Sequence, residues 1–166
     1  MIKIIKKLNR SGITLIETLI TMGFLSGLLL ILITIFTSAV DVQQESKSYS
    51  AMDSNGRFIT ARLNYDIANA TSITAPTFGN SSSSLTLDEK GTTYSYNLSG
   101  SNLQLSEGSN TANLNSDDVT ATYANFWVLG NPGGKPTVLY SFTLYSTAQV
   151  HGATDAVSFS STAGLR

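Results

Sequence analysis

Hydrophobic and polar positions divide this chain into three stretches with different periods. From Ile13 to Val40 the apolar residues are nearly continuous, and Glu17 is the one charge among them. Thr18 to Val40 is a run of 23 residues with no charge at all, rich in Leu and Ile. As a helix rising about 1.5 Å per residue, this stretch reaches across a hydrocarbon layer of about 30 Å. It also exceeds the apolar core of an ordinary secretory signal, typically about 7–15 residues. A membrane-spanning helix is therefore predicted over 13–40.

The pattern changes after Asp41. Met52, Ile59, Leu63, Ile67 and Ala70 recur at spacings of three, four or seven, which is one face of a helix. Phe58 and Tyr65 are read as broadening this stripe, and Arg57, Arg62 and Asp66 as lying mostly off it. No Pro occurs between Asp41 and Ile73, and Pro76 marks the stop. Residues 41–74 are thus predicted to continue the first helix, to about Ser72, with Met52, Ile59, Leu63 and Ile67 packing on the rest of the chain. Gly56 interrupts the stripe and is read as a tolerated Gly or a site of close packing rather than as a local bend.

Residues 75–166 change to a period of two. Leu85 to Leu87, Thr93 to Leu98 and Leu103 to Leu105 alternate and are separated by Asp88–Gly91 and Ser99–Asn102, which are turn-forming. They predict a three-strand antiparallel meander. Val119 to Leu129, Val138 to Tyr145 and Ala156 to Ser160 predict further strands, whereas Thr77 to Ser84 and Glu107 to Asp118 read as polar loops. The expected class is α+β: one long N-terminal helix packed on an antiparallel β-sheet head.

Charge sharpens the N-terminal reading. The first twelve residues hold Lys3, Lys6, Lys7 and Arg10 and no acid, a charge of +4. The remainder has six basic against eleven acidic residues. Basic residues before an apolar run, with Asp41 and Glu45 after it, place the N-terminus in the cytoplasm and the head outside. Asp, Glu, Lys and Arg make up only 13% of the chain, about half the usual share of a soluble domain. Ser, Thr and Asn fill the gap, as suits an exported or surface-exposed protein.

A carboxylate in an apolar segment costs about 2.5–3.5 kcal/mol near the centre of a bilayer, so Glu17 requires a reason. Its surroundings read Ser11-Gly12-Ile13-Thr14-Leu15-Ile16-Glu17: a Gly ends the basic stretch, and an acid stands five residues beyond it. This resembles the N-terminal signal of type IV pilins and type II secretion pseudopilins. In that family a short basic leader ends in Gly, a membrane aspartyl protease cuts after it and methylates the new N-terminus, and the following residues usually run Phe-Thr-Leu-Ile-Glu. Gly12 matches the residue before the cut. Thr14, Leu15, Ile16 and Glu17 match the core, and Ile13 replaces the usual Phe. The segment Arg57 to Ile73, the Tyr94-x-Tyr96 strand and the Leu165-Arg166 ending resemble the larger J- and W-type minor pseudopilins and minor pilins.

The resemblance implies a pilin-like fold and a residue-by-residue division of labour. Residues 1–12 would be the leader, 13–40 the membrane and filament-core helix, 41–74 its amphipathic continuation and 75–166 the head. Gly12 and Ile13 would be the sites of cleavage and methylation. Glu17 would pair with the Ile13 ammonium group of a neighbouring subunit, since both charges are costly unpaired in an apolar filament core. The implied partners are prepilin peptidase, other pilin or pseudopilin subunits, the inner-membrane assembly platform and, before assembly, membrane lipid. DNA or a secreted protein would be further partners, for which the sequence itself offers no support. Two other readings use the same residues. Thr37-Ser38-Ala39 resembles a signal-peptidase site that would release a head starting at Val40, and the apolar helix could be a plain tether for a β-rich binding or adhesion module.

Catalysis finds no support in the sequence. The chain has no Cys and one His, His151, which rules out thiolate chemistry and any two-imidazole site. No phosphate-binding loop, nucleophile elbow or metal-ligand spacing occurs. Asp117-Asp118 is expected to be a solvated turn, and neither metal nor cofactor is expected. Tyr94, Tyr96, Tyr123, Phe126 and Trp127 could form an exposed aromatic patch for DNA or sugar, but strand spacing in a small domain predicts core packing. The expected function is structural and non-enzymatic.

Overall fold

The computed structural model describes residues 13–131, 133–148 and 154–166. Helix α1 (Leu15–Asn69) is followed by nine strands. They are β1 (Ser72–Ala75), β2 (Ser81–Ser82), β3 (Leu85–Glu89), β4 (Thr92–Ser99), β5 (Asn102–Glu107), β6 (Asn110–Asn113), β7 (Val119–Leu129), β8 (Thr137–Ser146) and β9 (Ala156–Gly164). The chain divides into two compact units, Met1–Val42 and Gln43–Arg166, with the boundary inside α1. The class is α+β: a long N-terminal helix whose second half packs on antiparallel sheets.

In the first unit, α1 is apolar and uncovered. Its best window has a mean hydropathy of 2.5 and none of it is buried, so the helix is long and apolar enough to cross a membrane. Most of its hydroxyls are satisfied within the helix. Thr18, Thr21, Ser26, Thr34 and Thr37 each donate to a backbone carbonyl three or four residues earlier, at 2.7–3.0 Å. Such internal bonding removes most of the penalty of placing a hydroxyl in hydrocarbon.

In the second unit the strands form two sheets rather than one. Their orders are β1-β3-β4-β5-β6 and β2-β7-β8-β9, with every pairing antiparallel. The meander β3-β4-β5 is as expected. Lys90 and Gly91, both with positive φ, form the two-residue loop joining β3 to β4, and this backbone twist suits a tight hairpin. Three elements depart from the sequence expectation. The helix stops at Asn69, and Ser72–Ala75 pairs with β3 instead of extending α1. Asn110–Asn113 adds a hairpin strand to β5, and Ser81–Ser82 a two-residue strand to β7. Backbone pairing decided these places: β2 and β6 are almost wholly polar, and the Ser-Ile-Thr-Ala alternation of β1 is too short to be told from the end of the helix.

One core joins α1 to both sheets. Met52, Ile59, Leu63 and Ile67 are fully buried, as expected, with Leu85, Leu103, Phe126, Tyr140 and Phe142 among the residues they meet in the cluster. Each large apolar side chain so buried contributes about 1.5–3 kcal/mol relative to exposure. Gly56 lies on the same face. A Cβ there would stand 2.1 Å from Cζ of Phe159, so the absent side chain is what admits the β9 ring.

The stripe is narrower than the sequence suggested. Phe58 and Tyr65 are 56% and 63% exposed, so neither broadens the packed face. Asp66, expected off the stripe, is instead buried at 2% exposure. It falls three residues after Leu63 and seven after Ile59, which is on the buried line by helical geometry.

Candidate functional site

The first candidate is the start of α1. Ile13 is exposed and precedes the helix, and Thr14 stands at the N-cap position. The Glu17 backbone N–H donates to Thr14 Oγ1 at 3.4 Å. Thr14-Leu15-Ile16-Glu17 thus has the spacing of a capping box, in which the acid three residues after the cap also complements the positive end of the helix. Glu17 is exposed in this first turn. The structure gives its carboxylate a location favoured by the helix dipole and leaves it accessible to a partner. Lys3, Lys6, Lys7, Arg10 and Gly12 lie outside the described residues, as does His151. Thr37-Ser38-Ala39 lies within α1.

Between Glu17 and Asp41 the surface of α1 is predominantly apolar on every side, with Ile20, Phe24, Leu28, Ile31 and Phe36 among its uncovered residues. So large a continuous apolar surface is costly in water, and the helix that carries it is long and apolar enough to cross a membrane.

The second candidate is the polar network that fixes α1 to the head. Asp66 Oδ2 accepts from Arg62 Nε at 2.8 Å and from the Tyr96 hydroxyl on β4. Asp66 Oδ1 is buried without a hydrogen-bond partner. Burial, and then the bond to Asp66, hold the Tyr96 phenol well above its ordinary value, so it remains a donor. The bond to Asp66 also raises the Arg62 guanidinium. Nearer the middle of the packed segment, Tyr140 of β8 donates to Asn64 Oδ1 at 2.8 Å, and burial raises its pKa. Asn55 Oδ1 accepts from the Ser116 backbone N–H at 2.8 Å. The helix is therefore fastened to both sheets by directional bonds as well as by apolar packing.

Asn115 performs the same service inside the head. It is buried, accepts from the Leu103 N–H at 2.8 Å, and donates to the Val119 carbonyl at 2.6 Å and to Asn102 Oδ1 at 2.9 Å. It joins β5 of one sheet to the start of β7 of the other. Sequence reasoning missed Asp66, Asn55, Asn64 and Asn115. Only Asp66 left a signal, its place on the helical stripe and its four-residue spacing from Arg62. Asp118 uses its carbonyl to accept from Thr147, through both the backbone N–H and Oγ1 at 3.0 Å.

The aromatic residues divide. Tyr96 and Phe126 are core, as expected, and Tyr94 is half-buried with its hydroxyl donating to Glu107 at 2.8 Å. Tyr123 and Trp127 are exposed, contrary to the core expectation. They alternate with Ala124, Phe126 and Val128, which take the inward face of β7.

Neither the family models, the curated proteins nor the solved structures contain a match to this chain.

Proposed function

We propose that this protein is a structural subunit of the prepilin type, processed after Gly12 and assembled through α1 into a pilus or pseudopilus. The observation that carries this reading is α1 itself. One helix combines an entirely uncovered apolar stretch, an exposed acid in its first turn and a second half locked into a β head. A membrane holds such a helix before assembly, and neighbouring copies of similar helices cover it afterwards. On this reading Lys3, Lys6, Lys7 and Arg10 keep the N-terminus cytoplasmic, and the head is displayed outside. The chain would act in initiation or at the tip as a minor subunit, beside other pilin or pseudopilin subunits and the inner-membrane assembly platform.

Mass spectrometry of the N-terminus, on protein from its native membrane with and without prepilin peptidase, tests the proposal. The expected product begins at Ile13, is methylated, and depends on the peptidase. A start at Val40 would identify a released secreted head, and an intact Met1 a plain anchor.

The cap formed by Thr14 favours a second reading, because it gives Glu17 a local use that a plain tether would share. In that case the head is the functional part and α1 only holds it at the membrane.

A further inference from the structure

The sheet β2-β7-β8-β9 covers the core with one face and shows the other to solvent. Tyr123, Asn125 and Trp127 of β7 point outward, and the two aromatic side chains remain 51% and 42% exposed. They are four residues apart on one strand, about 13 Å. The register sets hydroxyl-bearing residues beside them. Thr143 and then Ser158 continue the row of Tyr123, and Ser141 and then Ser160 continue that of Asn125. Trp127 is followed by Leu139 and Thr162.

The four strands of this sheet contain no Asp, Glu, Lys, Arg or His. That absence selects the ligand. A nucleic acid brings a phosphate with every nucleotide and needs Lys or Arg to meet it. An acidic glycan has the same need. The core of a protein interface would be apolar, with its polar groups at the rim, whereas here Ser, Thr and Asn alternate with the rings. A neutral sugar polymer fits each feature. One side of a pyranose ring is a plane of weakly positive C–H bonds that can lie on the negative face of an aromatic ring. Its rim is hydroxyls, which both donate to and accept from Ser, Thr and Asn. An open, uncharged strand surface suits an extended polymer rather than a small ligand enclosed in a pocket.

We propose that the outward face of β7, β8 and β9 is a binding surface for an extended uncharged polysaccharide, with Trp127 and Tyr123 as stacking platforms. The site belongs to the head alone and does not depend on filament assembly.

Trp127 is the only Trp in the chain, so its emission reports on this surface directly. The full-length chain, held in a polyoxyethylene detergent that carries no sugar, would be titrated with cellohexaose and with chitohexaose. It would also be co-sedimented with cellulose and with chitin. The expected result is a saturable change in emission with at least one oligosaccharide and retention on the matching solid, unaltered when salt is raised to about 1 M. Tyr123→Ala is expected to weaken binding about tenfold, as loss of a stacking platform does, and Tyr123→Phe to preserve it. Trp127→Ala is expected to abolish sedimentation. Silence with all four glycans would overturn the proposal, as would unchanged binding by Tyr123→Ala. Salt-sensitive binding to polygalacturonate in place of the neutral polymers would overturn the ligand class. N-terminal processing is read separately by mass, so a failure here leaves the filament proposal where it stands.

Discussion

Tyr96 of β4 donates its hydroxyl hydrogen to the buried Oδ2 of Asp66 on α1, the same oxygen that accepts from Arg62. The helix and the five-stranded sheet therefore share one carboxylate. Apolar packing alone would permit small slips along the helix; this bond does not, because a slip strands a buried charge. Tyr96→Phe is expected to cost about 1.5–3 kcal/mol, the range for a hydrogen bond to a charged group. Asp66→Ala should cost more, since it also leaves a void and an unpaired phenol. Urea unfolding followed by Trp127 emission measures both, and the double variant should fall short of the sum.

Alkaline pH offers a separate test. Tyr96 and Tyr140 have folded-state pKa values raised above the ordinary 10, chiefly by burial. Below about pH 10 both states hold these protons, and the stability associated with them is complete. Above it the unfolded chain releases protons that the folded chain keeps, so stability falls. Tyr96 adds a slope approaching about 1.4 kcal/mol per pH unit while only the unfolded form titrates, and Tyr140 adds to the decline in the same direction. Urea midpoints from about pH 9 to about pH 11.5 should decline accordingly, and Tyr96→Phe should flatten the decline by one tyrosine's share.

Gly56 reverses the usual preference for Ala in a helix. Helical propensity alone makes Gly56→Ala favourable by about 1 kcal/mol. The new Cβ would meet the Phe159 ring at 2.1 Å, and overpacking of this kind costs about 1–3 kcal/mol. The expected outcome is net destabilisation, reduced when Phe159→Leu is added. A stabilised Gly56→Ala protein in thermal unfolding would contradict the assigned contact.

Asn115 should prove the most sensitive polar side chain of the head. Asn115→Ala removes the partners of the Leu103 N–H and the Val119 carbonyl at once. Leaving those groups unsatisfied costs about 1–3 kcal/mol each. Hydrogen exchange at Leu103 should accelerate well before the α1 amides of the packed segment change.

Glu17 separates filament pairing from helix capping. Gln can replace Glu in a capping box, but it cannot form an ion pair with the ammonium group of Ile13. If pairing is the role, Glu17→Gln and Glu17→Ala both fail to enter filaments while cleavage after Gly12 continues. Incorporation of the Gln variant at the wild-type level would assign Glu17 to the cap. Immunoblotting of sheared filaments alongside N-terminal mass analysis measures both steps.

A repeating pattern is the part of this fold that can be read from the chain without its neighbours. The apolar run and its basic flank define α1, a three-and-four spacing names Met52, Ile59, Leu63 and Ile67, and alternation defines β3, β4, β5, β7 and β8. Burial of one face imposes a period, and a period can be read from one strand or helix without its neighbours. Tertiary structure decided the rest. Strands β1, β2 and β6 exist because a neighbour offered unpaired backbone groups, and backbone hydrogen bonding is nearly blind to side chains. Asp66 is buried because Tyr96, 30 residues away, supplies a donor. Trp127 and Phe126 are adjacent in the chain, and only the packing of the core against one face of β7 made one of them interior and the other surface.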